Sequence, residues 1–162
     1  MPGLPEQIQS SLRGRVCYMG LGNVDRGDDA FGVRLAEALV SAGVPDVIIA
    51  GINPERLVGR CAEEGFDHLV FLDAVDFGAA PGSLVFLNSS EISARFSDVS
   101  THKISLGLLA KYVESTGKTK VWLLGAQPES LRPAPALSPA LHATAAILTE
   151  LIGSFACQGA EL

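Results

Sequence analysis

The stretch Gly20-Leu21-Gly22-Asn23-Val24-Asp25-Arg26-Gly27-Asp28-Asp29 constrains the fold more than any other part of the chain. An apolar run, Val16 to Met19, precedes it, and an amphipathic run, Phe31 to Val40, follows. Strand, glycine-rich turn and helix in that order place a ligand site at the carboxyl end of a strand in α/β proteins. A loop that cradles phosphate needs bare backbone N–H groups and preferably a cation. Here the turn ends in two adjacent carboxylates, which repel a phosphate and attract a cation. The stretch therefore reads as a metal-holding turn.

The remaining pattern extends the same architecture. Arg15 to Met19 reads as a buried first strand, and a helix starts at Asp28–Asp29, where negative charge suits the N-terminal dipole. Phe31, Leu35, Ala38 and Leu39 share one face of it, and Gly43 with Pro45 ends it. Val47 to Ala50 is a second strand, and Asn53-Pro54 opens a brief helix with Leu57 and Cys61 inward. His68 to Leu72 is apolar on both faces, which marks a central strand of a covered sheet. After Pro81-Gly82 the segment Ser83 to Leu87 returns as a strand, too soon for a crossover helix and so antiparallel to its predecessor. Asn88 to Ser100 is polar and without a clear period. Ser100-Thr101 is read as the cap of a helix with Ile104, Leu108 and Tyr112 on one face. Thr119 to Gly125 is the last strand, Gln127 to Leu137 an extended loop, and Ser138-Pro139 the start of a final helix.

The expected fold is α/β: a three-layer sandwich with a twisted, mostly parallel five-stranded sheet, one antiparallel strand, and helices on both faces. At 162 residues, 48% of them apolar, the chain suits one globular domain. Its expected extent is 15–157, after a loosely ordered lead-in over 1–14 and before a tail over 158–162. A net charge of −6 argues against nucleic acid as a partner. No apolar run approaches the roughly 18 residues of a membrane span, so no membrane insertion is expected. Residues 1–15 lack the apolar core of a secretory signal. The three cysteines, Cys17, Cys61 and Cys157, form no C-x-x-C pair, which suits a reducing cytoplasm.

Three polar positions fall at the carboxyl edge of the expected sheet: Asp29 after the first strand, Asp73 ending the third, and His102 in the first turn of a helix entering from the other side. Two carboxylates and an imidazole suit nickel, zinc, manganese or iron, and three protein ligands leave a place for water or a substrate group. Each also has a plainer explanation. An Asp at a helix start is a common cap, Asp73 can initiate a turn, and a lone His beside a Thr cap is usually a surface residue. Yet Asp73 ends an otherwise apolar strand, where a carboxylate is costly unless paired or coordinated.

Other motifs are weaker. Gly20-Leu21-Gly22 begins a dinucleotide fingerprint, but Asp25 occupies the third glycine position, and Ala50-Gly51 stands where an acidic residue would hold ribose. No P-loop, H-E-x-x-H or G-x-S-x-G is present, and Ser105 lacks the first glycine of a nucleophile elbow. Cys17, Cys61 and Cys157 have no evident base nearby and read as packing. His68 and His142 read as structural or surface residues, and Lys103 as solvated by default.

With these residues in view, the chain resembles the nickel–iron hydrogenase maturation endopeptidases. The resemblance is carried by Gly20-Leu21-Gly22-Asn23 with Gly27-Asp28-Asp29 and Gly32, by Asp73-Ala74-Val75-Asp76 with Pro81-Gly82, by Thr101-His102, and by Leu124-Gly125-Ala126-Gln127-Pro128. These pieces occur in the family's order from about Arg15 to Ile152. The resemblance implies an aspartate-dependent endopeptidase that removes the carboxyl-terminal tail of a hydrogenase large-subunit precursor after nickel insertion. It implies a metal site of Asp29, Asp73 and His102, with nickel presented by the precursor and other divalent metals able to occupy the place. Asp29, the Thr-His pair and the Gln-Pro pair are most similar to the branch that processes formate-hydrogenlyase and energy-converting hydrogenases. Asp76 or Asp28 is expected to orient a water or a ligand from behind, with Thr101 beside His102. Two departures stand out: Ala30-Phe31 replaces a small Gly-aliphatic pair, and Gly51-Ile52-Asn53 replaces a Gly-Gly/Ser-Thr/Ala loop. Gly51 and Asn53 border the expected cleft, so the second change bears on substrate choice. Rival readings are a non-cleaving metal-sensing chaperone for the same precursor, a nucleotide-binding α/β domain, and a peptidase of the same fold acting on something other than hydrogenase.

Overall fold

The computed structural model describes residues 2–96 and 105–160, with side chains through 156. Five strands, β1 (Val16–Leu21), β2 (Val47–Gly51), β3 (His68–Ala74), β4 (Leu84–Asn88) and β5 (Lys120–Ala126), form one sheet in the order β2-β1-β3-β5-β4. All neighbouring pairs are parallel except β4 with β5. This is the expected mostly parallel sheet with one antiparallel member. β4 runs against β3, as expected, but β5 inserts between them and leaves β4 at the edge.

Every residue of β3 is buried, in keeping with its central place and its continuous apolar sequence. Alternate side chains feed two cores. On one face Tyr18, Val70, Leu72 and Leu124 meet Ile8 of α1 (Leu4–Ser11), Phe31, Leu35 and Leu39 of α2 (Phe31–Ser41), and Leu141, Leu148 and Ile152 of α6 (Pro139–Ala160). On the other, Cys17, Met19, Leu69, Phe71 and Leu123 meet Val58 and Cys61 of α3 (Val58–Glu63), Ile92 of α4 (Ser89–Phe96), and Leu106, Leu109 and Val113 of α5 (Leu106–Thr116). Burying one large aliphatic or aromatic side chain contributes about 1.5–3 kcal/mol, so both layers hold the sheet.

Several expectations shift in detail. The lead-in over 1–14 contains α1, docked by a fully buried Ile8 with Leu4 and Leu12 packed against the same core. At the other end α6 runs to Ala160, into the segment read as a tail. The polar stretch after Asn88 contains α4, held at its start by a reciprocal pair of bonds. Asn88 Oδ1 accepts from the Glu91 amide at 2.9 Å, and Glu91 Oε1 accepts from the Asn88 amide at 3.1 Å. The helix expected to start at Ser100-Thr101 has Ser105 as its cap, with Oγ accepting from the Leu108 amide at 3.2 Å; residues 100 and 101 lie outside the described ones. Of the three residues expected to share one face, Ile104 lies outside the described ones. Leu108 and Tyr112 are exposed, and Leu106, Leu109, Ala110 and Val113 point inward.

Candidate active site

In the order β2-β1-β3, the chain leaves β1 for β2 on one side and returns to β3 on the other. The crevice outside the carboxyl ends of β1 and β3 is thus a topological switch point, where open α/β sheets gather ligands. Helix α2 packs into the core on one face and α3 into the core on the other, so both walls of the crevice are supplied by connections.

Beyond β1, a 3-10 turn over Gly27–Ala30 precedes α2 in place of the single helix start expected at Asp28–Asp29. Glycine makes this close fit possible. A Cβ at Gly32 would run into the carbonyls of Leu72 and Leu21, and one at Gly22, with φ at 128°, into the carbonyl of Asp29. The first turn of α2 therefore lies on the ends of β1 and β3. That brings Asp29, just before α2, to the same edge as Asp73, which follows Leu72. Asp29 is 8% and Asp73 3% exposed. Asp29 Oδ2 accepts from the Asn23 amide at 3.3 Å, and Asp73 Oδ1 from the Ala74 amide at 2.9 Å, so both carboxylates are oriented by their own loops. Asp73 alternates with Leu72 and Ala74, placing it on the sheet face shared with Leu69 and Phe71. Two buried carboxylates at one edge are costly alone and fit a cation. Among the described residues no three His, Cys, Asp or Glu side chains group as a metal site. The third expected ligand, His102, and its neighbour Thr101 lie outside those residues.

The structure gives the other expected residues different tasks. Asp28, expected to orient a water or a ligand, holds the chain after β5. Its Oδ2 accepts from the Glu129 amide at 2.9 Å and the Ser138 hydroxyl at 2.8 Å, and its Oδ1 from the Ser138 amide at 2.7 Å. The Gly27 amide adds a bond to the Ala134 carbonyl at 3.1 Å, and Arg26 Nε one to the Leu131 carbonyl at 3.3 Å. Asp76 caps its own turn, with Oδ1 accepting from the Gly78 amide at 3.1 Å and from Gln127 Nε2 at 3.0 Å; these bonds lower its pKa, Gln127 having the larger share. Gly51, with φ at 62°, accepts from the Gly22 amide at 2.9 Å and so joins the loop after β2 to the turn that carries Asp29. The Asn53 amide bonds the Ala50 carbonyl at 3.3 Å, which curls that loop beside it.

Gln127, buried at the end of β5, shapes the site, although the sequence reading used it only as part of the motif that carries the resemblance. Its Oε1 accepts from the Phe77 and Ala79 amides at 2.8 and 3.2 Å, while Nε2 donates to Asp76. The side chain pins the loop after Asp73. The signal available was the polar Gln-Pro pair ending an apolar strand.

The remaining candidates lie elsewhere. His68, at the start of β3, is buried; its Nδ1 accepts from Trp122 Nε1 at 3.0 Å, and burial lowers its pKa. Cys17 and Cys61 are buried with their Sγ atoms 3.9 Å apart, and the neighbouring thiol together with burial pushes Cys17 up, away from the thiolate. Ser105 serves as a cap. His142 is exposed beside a groove of about 850 Å³ between α2 and α6.

Comparison with known proteins bears on the family and the fold. The family described as "HycI: Hydrogenase maturation protease" matches residues 33–154. The "Hydrogenase 2 maturation protease" of Escherichia coli is 34% identical over 137 residues, covering 80% of this chain and 82% of the relative. The crystal structure of a [NiFe] hydrogenase maturation protease HycI from Thermococcus kodakarensis superposes with a TM-score of 0.81 at 33% identity, over 92% of this chain and 97% of that one. The hydrogenase maturating endopeptidase HybD of E. coli gives a TM-score of 0.71 at 32% identity, over 85% and 89%.

Proposed function

Because the chain belongs to the hydrogenase maturation protease family and is thereby an endopeptidase, we propose that it removes the carboxyl-terminal tail of a hydrogenase large-subunit precursor that already carries nickel. The observation that carries this reading is the pair of buried, loop-oriented carboxylates, Asp29 and Asp73, at the switch point between β1 and β3. His102 is the third ligand in the proposal. It stands shortly before α5, whose Leu106 packs in the layer that Asp73 faces.

In this scheme Asp29, Asp73 and His102 approach the ion held by the precursor and complete its shell, which docks the tail across the crevice. The chain supplies fixed negative charge and excludes water with the loops after β1 and β3. A polarised carbonyl and an activated water then suffice to break the peptide bond without an enzyme nucleophile. The burial of Cys17 and Cys61 supports that choice. Asp28 and Gln127 act at one remove by fixing the two loops that carry the ligands. No helix among the described residues is long and apolar enough to cross a membrane. The proposal places the protein in the cytoplasm, where a large-subunit precursor would be completed.

The test incubates purified protein with nickel-loaded and nickel-free precursor and weighs the precursor by mass spectrometry. The expected result is shortening of the nickel-loaded form alone, abolished in Asp73→Ala. Shortening of both forms would overturn the role of nickel, and normal processing by Asp73→Ala would overturn the site. A precursor bound but never shortened would favour the chaperone reading.

A further inference from the structure

β2 is the outermost strand on one side of the sheet and lies next to β1, whereas the opposite margin, β4, is separated from β3 by β5. Its pairing with β1 fixes which backbone groups it leaves free. Tyr18 pairs with Val47 and Gly20 with Ile49, and the Tyr18 amide donates to the Asp46 carbonyl at 3.0 Å. In a parallel ladder that starts so, Asp46, Ile48 and Ala50 turn their bonding groups to β1, and Val47 and Ile49 turn theirs outward. No further strand takes those outward groups among the described residues. A free strand margin is a template for another strand, and native chains blunt it with charged residues or proline. Val47–Gly51 reads Val-Ile-Ile-Ala-Gly and contains neither. Ile49 is also the only exposed large apolar side chain on a strand among the described residues. An open apolar margin of this kind calls for an occupant, and position points to one. The Gly22 amide donates to the Gly51 carbonyl at 2.9 Å, which ties the end of β2 to the loop that leads to Asp29. Two more exposed apolar side chains, Val24 and Ile52, stand on the loops that follow β1 and β2.

We propose that the tail of the precursor, downstream of the cut, binds as an added strand antiparallel to β2 along its free margin, with an apolar side chain of the tail over Ile49. This rests on the endopeptidase reading above. In that scheme the ion stays with the upstream part, so the tail is the end free to extend. Leaving the crevice at the carboxyl ends of β1 and β3, it passes the ends of β1 and β2 and turns down the outer side of β2, hence the antiparallel sense. Strands lie about 4.8 Å apart, so the path from between β1 and β3 to a strand beyond β2 is about 12 Å, or about four extended residues. Pairing with Val47 and Ile49 takes about four more. In strand addition the main-chain bonds supply affinity, and alternate side chains supply selectivity.

The experiment measures KM for nickel-loaded precursor with its full tail and with the tail cut back to about four residues, the length that stops short of β2. Wild type, Ile49→Lys and Ile49→Thr are compared. For the wild type, shortening the tail should raise KM about tenfold, the loss of about three main-chain bonds. Ile49→Lys, with a charge on the margin, should show the higher KM with both tails, and Ile49→Thr, which keeps a good strand residue there, should retain most of the difference. A second measurement needs no variant. A synthetic peptide of the tail should compete with full-tail precursor and slow hydrogen exchange at the Val47 and Ile49 amides. N-methylation of one alternate set of its amides should abolish both effects, and of the other set neither. Equal KM for the two tails, an Ile49→Lys that still tells them apart, unchanged exchange at Val47 and Ile49, or a natural tail shorter than about eight residues overturns the assignment while the endopeptidase reading stands. So does a wild type that sediments as a dimer which Ile49→Lys separates without altering KM, since the occupant is then a second copy. If the wild type leaves full-tail precursor intact, that reading falls and takes the assignment with it.

Discussion

Asp28 and Asp29 are adjacent and chemically identical, yet the structure separates their work, and Asp28→Ala measures the separation. The substitution removes three bonds of 2.7 to 2.9 Å from a carboxylate that is 3% exposed. It also leaves the amides of Glu129 and Ser138 without their acceptor. Bonds to a charged acceptor contribute about 1.5–3 kcal/mol each, and orphaned donors cost about 1–3 kcal/mol where water is excluded. Because the three bonds converge on one group, they are not additive, and partial hydration of the loop offsets some of the loss. The expected destabilisation is about 3 kcal/mol, or a fall in Tm of about 6–12 °C for a chain of this size. Ser138→Ala, which keeps the amide bond and loses only the hydroxyl, should cost about 1 kcal/mol. Urea titration followed by circular dichroism gives both values, and the double variant shows the coupling. Asp29→Ala should lose processing and keep most of its stability, since the one described bond of its carboxylate is a long contact with the Asn23 amide. A change below about 0.5 kcal/mol in Asp28→Ala, the range of an ordinary surface substitution, would refute the loop-clamp argument.

Two further outcomes follow from packing and burial. Gly32→Ala should cost about 3 kcal/mol or more, because its methyl group meets backbone carbonyls that cannot turn aside, whereas Gly153→Ala faces open space within α6 and should gain about 0.5–1 kcal/mol; thermal melts read both. Burial lowers the pKa of His68 below its unfolded value of about 6.5, so the unfolded chain takes up the proton first. The stabilising contribution of neutral His68 is full above about pH 6.5 and is lost as pH falls toward and through the folded value. Unfolding free energies at pH 7 and pH 5.5 should converge in His68→Gln relative to the wild type, and an unchanged pH slope would contradict the assignment.

The sheet and the carboxylate edge were legible in the sequence because both depend on local pattern. An apolar run such as His68 to Leu72 reports burial on two faces, and a glycine-rich turn after Met19 reports a close strand-to-helix passage. The task of Asp28 was not legible, since its partners lie 101 and 110 residues away and share no motif with it. Helix α5 misled for another reason. Ile104, Leu108 and Tyr112 have helical spacing and large apolar side chains, but the inward face is built partly from Gly107 and Ala110, small residues whose burial the pattern does not mark. Helix α4 was readable in principle from Asn88 and Glu91, a capping pair hidden by the polarity around it. Asp29 and Asp73 sit at the edge expected for them, and the task of Gln127 shows only in the amides of Phe77 and Ala79 that it holds.

The strand order also bears on when the protein becomes competent during its own synthesis. β1 is made early, but its neighbour β3 is some 50 residues further along, and β5, which flanks β3, comes about 50 residues after that. Ser138, the residue that fastens the turn bearing Asp28 and Asp29, is made later still. A growing polypeptide therefore leaves this turn without its fastening to the chain after β5 until residue 138 has been made.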